Sequence, residues 1–453
     1  MLSNKTYLNN SYRNIISVSL PIMLGTFVEF LVVLADSSFL SRVGTNAFNA
    51  SVLASFIYIA LFMFGVGFSS GIQILIARRQ GEGRFKLAGI VFYHACISML
   101  LLSVVMFLLV RFGFINILNF TLSDSLLYES IREFLLIRIW GYPLAFLTLT
   151  FTAFYTGIAR TRVLTAVMII LASTNIVLDY LLIFGKGIFP ELGLTGAAIA
   201  SVSAEGLAML FIVLYTLMSK KIWKQYKLFQ FRKIYGYLSK ALLKFSSPLM
   251  VQQFIAVASW AIFFNLIEQL GSYELEVSSV VRSLYYLLFV PLMGLSTATR
   301  TFVSTLLAER RQAEIPVTIK RIVLLSLLMT SVILGLILSF PHQLVAIVNP
   351  NTEIIDGVVS VYYYISGAVI LFSVSSVFFN LVSGSGDTRM TLIIEAVAIV
   401  IYITAASVLI LKANPTVEQV WMTEYIYFGL LTIFSMVYYI SGRWKRHNRA
   451  GGW

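Results

Sequence analysis

The chain is short of nearly everything a soluble protein of its length uses to cover its surface. Charged residues occupy 12% of the 453 positions, with only 20 acids, whereas hydrophobic residues occupy 59%. A globular chain this large and this apolar could not be solvated, so the composition points to a polytopic membrane protein. One cysteine, Cys96, excludes an intrachain disulfide framework and any cysteine-based metal cluster. There are three histidines; His94 and His342 read as incidental, and no His-Glu set stands at metal spacing. No glycine-rich phosphate loop is present, which argues against direct nucleotide coupling and needs no cofactor. The opening residues MLSNKTYLNNSYRN lack the apolar core of a signal peptide, so the amino terminus is expected to be retained.

What the sequence does have is long apolar stretches. They fall at about residues 14–40, 47–77, 87–113, 127–157, 163–185 and 193–218, then at about 240–267, 275–307, 318–346, 355–383, 389–411 and 417–441. Open sheets cannot survive in lipid, so all are expected to be helices, about twelve in an all-α membrane protein. About 25 of the 33 Lys and Arg residues fall on one side of the resulting topology, including Lys5, Arg13, residues 77–86 and the tail RWKRHNRAGGW. That side is expected to be the cytoplasm, with both termini in it, and the net charge of +13 then reports topology, not nucleic acid binding. The basic, aromatic-rich connector SKKIWKQYKLFQFRKIYGYLSK (219–240) fits an amphipathic segment on anionic lipid better than an RNA-binding patch.

An internal repeat organises the chain. A shift of 227 residues lays Pro21 on Pro248, Gly44 on Gly271, and Gly157 and Thr161 on Gly384 and Thr388. Each half then holds six helices, and six being even, both halves enter from the same side as parallel repeats. The expected organisation is an N-lobe at 1–218, a basic connector at 219–239, a C-lobe at 240–441 and a basic tail at 442–453. Two pseudo-symmetric six-helix lobes are the plan of a secondary transporter that alternates its opening.

Ionisable residues inside apolar runs are costly unless they face protein or water. The candidates are Glu29, Asp36, Arg138, Asp179, Glu205, Arg282, Arg300 and Glu395. Asn175 precedes Asp179 by four residues, so amide and carboxylate share one helical face. Ser201 adds a hydroxyl near the start of the next helix. Two carboxylates in a poorly solvated lobe cannot both be cheaply ionised, so at least one is expected to exchange a proton. Asp36, Asn175, Asp179 and Ser201 together also offer the oxygen ligands that a sodium ion accepts. The bland alternatives are a carboxylate capping a loop, or Asp179 pairing with Arg138. At the 227-residue offset Asp36 falls on Phe263, Asn175 on Tyr402 and Asp179 on Ala406, so the acids at these places are expected in the N-lobe alone.

Several stretches together resemble the multidrug and toxic compound extrusion (MATE) transporters: PIMLGTFVEFLVVLADSSFLSRVG, GIQILIARRQGEG, GYPLAF, TGIARTR, NIVLDYLLIFG and GLTGAAIAS. The resemblance runs from Pro21 to about residue 440 and implies a MATE/MOP-type fold. It implies that Asp36, Asn175, Asp179 and Ser201 form a network whose protonation, or occupation by sodium, reshapes the amino-terminal lobe. It also implies that Thr148 and Thr152 line a substrate cavity, although membrane threonines bond their own backbone as readily. Two places depart from the family pattern. The glutamate that one branch keeps eight residues after the seventh-helix proline is absent, Ile255 standing there with Gln252 and Gln253 nearby, which resembles the DinF-like branch. Glu29 stands where a neutral amide is more usual, and could attract cationic substrate or pair with Arg138.

The expected function is therefore not enzymatic. It is antiport of H+ or Na+ against an amphipathic, cationic or aromatic small molecule, by a monomer in the inner membrane. The alternative is a flippase for lipid-linked oligosaccharide or another lipid-like cargo. Such proteins line their cavities with cations, and only Arg138, Arg282 and Arg300 are available here.

Overall fold

The structure, a computed structural model, describes residues 8–122, 124–230, 235–348, 352–413 and 415–445. The expected tail therefore lies mostly outside the described residues, as do residues 231–234 of the connector. In the first half the helices are α1 (Tyr12–Val43), α2 (Thr45–Gly81), α3 (Phe85–Leu108), α4 (Ile115–Thr121), α5 (Ser125–Arg138), α6 (Gly141–Gly157), α7 (Arg162–Ile183) and α8 (Gly193–Met218). The connector holds α9 (Lys220–Tyr226). The second half holds α10 (Gly236–Glu268), α11 (Ser272–Ala308), α12 (Ile315–Ser339), α13 (Pro341–Val348), α14 (Ile355–Gly384), α15 (Thr388–Ala413), α16 (Val417–Trp421) and α17 (Glu424–Ile440). Among the described residues eleven helices are long and apolar enough to cross a membrane, and α5 with α6, bent by 47°, meet the same test as a pair, giving up to twelve spans.

Helix boundaries follow local chemistry. Asp124 caps α5 by accepting from the backbone N–H groups of Leu126 and Leu127 at 2.9 and 3.1 Å. The apolar run 127–157 contains the α5–α6 bend because Pro143, in the first turn of α6, cannot donate back into the preceding helix. The same effect divides the run at 318–346, where Pro341 ends α12 and opens α13.

The 227-residue repeat recurs as geometry. Gly44 and Gly271, which follow α1 and the α10 span, have φ of +149° and +151°, a region that favours glycine. A Cβ on Gly157 would lie 2.9 Å from the Gln73 carbonyl oxygen, and one on Gly384 would lie 3.0 Å from Arg300 Cα. Gln73 and Arg300 are themselves equivalent under the shift, so both halves use one close helix approach.

By packing the chain forms two compact units. One comprises Leu24–Gln80 and Arg84–Met250; the other gathers the segment ending at Met23, Gly81–Gly83 and the chain from Val251. The changeovers fall two residues after Pro21 in α1 and two after Pro248 in α10, so packing units and sequence repeats share cores but not boundaries. In the first unit α8 packs against α5, α6 and α7; in the second α14 packs against α11, α12 and α17.

Candidate functional site

Gly196 lets α8 lie against α7, since a Cβ there would stand 2.7 Å from the Leu182 carbonyl oxygen. That approach brings Ser201 to Asn175, whose Nδ2 donates to the serine Oγ at 3.4 Å. One turn along α7, Asp179 is fully enclosed, and Asn175 is 2% exposed. Asp36 of α1 brings its carboxyl within hydrogen-bonding reach of Asp179. The four residues expected to act together therefore meet on α1, α7 and α8.

Their hydrogen bonding is unbalanced. Asp36 Oδ1, Asn175 Oδ1 and both carboxyl oxygens of Asp179 are buried and receive no donor from the protein. Buried acceptors without donors carry the full desolvation cost of each group. Two facing carboxyls can bond each other only through a shared proton, and oxygen atoms so placed are also the ligand type that a hard cation accepts. Among the described residues no group of three or more His, Cys, Asp or Glu side chains converges on a metal position.

Arg138 pairs with neither Asp179 nor Glu29, contrary to those two alternatives. Its Nη2 donates to Glu205 Oε1 at 2.7 Å, and the Tyr58 hydroxyl donates to the same oxygen at 3.2 Å. The guanidinium stands 3.9 Å over the Tyr58 ring, and Tyr142 stacks on Tyr58 with centroids 4.4 Å apart. Tyr58 escaped the sequence reading because an aromatic in an apolar run carries no mark of a polar partner. Glu205 was recognisable: it follows Ser201 by one turn of α8. Glu29 is exposed on α1. The Thr148 hydroxyl donates to the Leu144 carbonyl of its own helix at 3.0 Å, while the buried Thr152 hydroxyl has no partner.

In the second half, the equivalents of Asp36 and Asn175 are packed rings: Phe263 and Tyr402 stand 5.6 Å apart, beside the enclosed Ala406. That half nevertheless buries acids elsewhere. Glu395 Oε1 accepts from the Tyr427 hydroxyl at 2.6 Å, and Glu424 Oε2 accepts from Tyr285 at 2.6 Å. Glu424 was missed because it opens α17 after WMT, where an acid looks like an ordinary helix start. Of the other candidates, Arg282 is exposed with its guanidinium 4.6 Å over Phe264, and Arg300 Nη2 donates to Thr297 at 3.2 Å.

His94 Nε2 accepts from the Tyr235 N–H at 3.1 Å while Nδ1 lies 2.9 Å from the Ile90 carbonyl oxygen. Nearby Tyr226 of α9 donates to Gln80 Oε1 at 2.6 Å, and burial pushes its phenol up to about 12, so it remains a donor. His342 is exposed, 4.0 Å from Asp356.

Among the described residues, an all-helical bundle of eleven or twelve apolar spans built from two repeats defines a multi-span membrane protein. The chain belongs to the MatE family, whose model matches residues 21–181 and again 248–408, two matches offset by the same 227 residues. It is 22% identical over 444 residues to a probable multidrug resistance protein NorM of Thermotoga maritima, covering 96% of this chain and 93% of that one. It is 25% identical to a probable NorM of Synechocystis, with 91% of each covered, and 24% identical to an FAD transporter of Shewanella oneidensis, with 70% and 68% covered. Among solved structures, an outward-facing multidrug resistance MATE transporter of the MOP superfamily superimposes with a TM-score of 0.86 at 19% identity, covering 97% and 96%. A MOP superfamily transporter of Pyrococcus furiosus, described by a binding pocket of reverse polarity, gives 0.84 at 19% identity over 97% and 96%.

Proposed function

We propose that this transporter is a cation-coupled antiporter that exports amphipathic, cationic or aromatic small molecules. The observation that carries the reading is the set of four buried acceptor oxygens on Asp36, Asn175 and Asp179 with no donor among them. A proton shared between the carboxyls, or a sodium ion among these oxygens, relieves the desolvation cost of the set. Asp36 and Asp179 hold the cation, Asn175 and Ser201 complete its oxygen shell, and occupancy favours one conformation of the first-half helices over another. A ligand drives a cycle only through such differential affinity. Thr148 and Thr152 of α6 and the exposed Glu29 of α1 face the exported compound, Glu29 contributing negative charge for a cationic one. The NorM relatives support the efflux reading, and the missing glutamate at Ile255 supports placement with the DinF-like branch. The protein works as a monomer in the inner membrane with both termini in the cytoplasm, as the distribution of Lys and Arg favours.

The test is efflux of a fluorescent cationic dye from proteoliposomes under an imposed pH or sodium gradient. Wild type should lose dye under one of the two gradients, and Asp36→Asn and Asp179→Asn should not. Gradient-driven efflux that survives both substitutions would remove the carboxyl pair from the coupling step. Wild type that moves no dye under either gradient would favour the lipid-linked cargo.

A further inference from the structure

The connector is fastened to the first half at two places. At the first, Gly89 of α3 lets the Tyr226 carbonyl oxygen of α9 come against the helix, since a Cβ there would collide with it. The buried Tyr226 phenol also donates to Gln80 Oε1 at 2.6 Å. At the second, one turn further along α3, His94 Nε2 accepts from the backbone N–H of Tyr235 at 3.1 Å. The imidazole lies over the Tyr235 ring with centroids 6.3 Å apart and planes at 17°. Tyr235 immediately precedes α10, so this bond fixes the start of that helix beside α3. Nothing near His94 in the sequence marks this partner, which lies 141 residues away.

The second fastening works in one protonation state only. His94 is 2% exposed, and its Nδ1 stands 2.9 Å from the Ile90 carbonyl oxygen. An Nε2 that accepts carries no proton, so the ring is neutral and its single proton sits on Nδ1, donating to Ile90. A second proton on Nε2 would face the Tyr235 N–H, leaving two buried donors with no acceptor between them. Tyr93 of α3 and Tyr235 are the ionisable side chains whose rings meet the imidazole, and among the described residues no acid pairs with it to hold an added charge. Of the helices packed on α3, α6 has Tyr142 bonded to the Tyr58 carbonyl and Tyr155 to Thr216, and α9 has Tyr226 on Gln80 and Lys224 over Trp223.

Between the two fastenings the backbone is strained. Lys227 and Phe229 have φ of +51° and +57°, in the left-handed region that residues with a Cβ enter at a cost. Ties on both sides hold such a turn, and losing one lets it relax. The Tyr226 tie does not respond to acid, because burial pushes its phenol up to about 12 and it stays a donor. We propose that His94 is an acid-sensitive anchor for the connector: neutral, it fixes the stretch that enters α10, and protonated, it lets that stretch go while α9 stays in place. The device does not involve Asp36 or Asp179, and all its residues belong to the first packing unit.

The experiment is hydrogen–deuterium exchange by mass spectrometry on the full chain in nanodiscs at about pH 8 and about pH 5, which span the range where histidine side chains gain their proton. Rates are corrected for the intrinsic pH dependence of amide exchange. Protection of the wild-type Tyr235 amide should fall roughly tenfold at the lower pH, about the factor that one hydrogen bond supplies, while the α9 amides keep theirs. His94→Gln, which offers an acceptor and a donor but does not titrate, should protect Tyr235 equally at both pH values. His94→Leu, which offers neither, should leave that amide unprotected at both. A wild-type amide that does not change between the two pH values, a change of wild-type size in either variant, or an equal loss of protection across α9 overturns the proposal.

Discussion

At the scale of the residue, Asp179 combines full enclosure with two oxygens that receive no donor. A carboxylate kept for stability would hold donors, as Glu424 holds the Tyr285 hydroxyl. The two groups should therefore respond differently to loss of charge or partner. Asp179→Asn puts an NH2 donor among unsatisfied acceptors, so the thermal unfolding midpoint in detergent is expected to hold or rise while cation dependence disappears. A clear fall in that midpoint would make Asp179 structural. Tyr285→Phe strips Glu424 of its donor and should cost about 1–3 kcal/mol in a denaturant titration. The sequence supplied Asp36, Asn175 and Asp179 through their spacing and apolar setting. It could not supply Arg138–Glu205, because the partners lie 67 residues apart and nothing local distinguishes one buried acid's partner from another's.

At the scale of the element, nearly all spans were legible because lipid imposes length and apolarity on every helix that crosses it. The misreadings fall at prolines. The apolar run at 127–157 reads as one helix, yet Pro143 breaks it, and that bend is what places Arg138 beside Gly141. Glycines at close approaches are legible in the sequence only through the repeat: Gly157 and Gly384 match at one offset, and each lies against a helix backbone, at Gln73 and Arg300. Gly157→Leu and Gly384→Leu should each push neighbouring helices apart and destabilise by about 1–3 kcal/mol, measurable by unfolding in detergent. If only one of the two did so, the common approach inferred for both halves would be wrong.

At the scale of the whole molecule, two halves share a scaffold and differ in chemistry. Where the first half gathers Asp36 and Asn175, the second packs Phe263 against Tyr402 within an apolar core, so the shared helices do not need the acids to fold. Two buried acids of the second half, Glu395 and Glu424, are each met by a tyrosine hydroxyl, whereas Asp36 Oδ1 and both Asp179 oxygens receive no donor from the protein. The proposed coupling therefore falls in the first half, and Phe263→Asp with Ala406→Asp is expected to unfold the protein instead of creating a second cation site, as thermal unfolding in detergent would show.

The measurement that bears most directly on this assignment records dye exit and cation entry together in the same proteoliposomes, for wild type and Asp179→Asn. The account predicts that dye leaves wild-type vesicles only as protons or sodium ions enter, and that the variant moves neither. Dye exit that continues after both gradients are collapsed, or coupled counterflow that persists in Asp179→Asn, would contradict it.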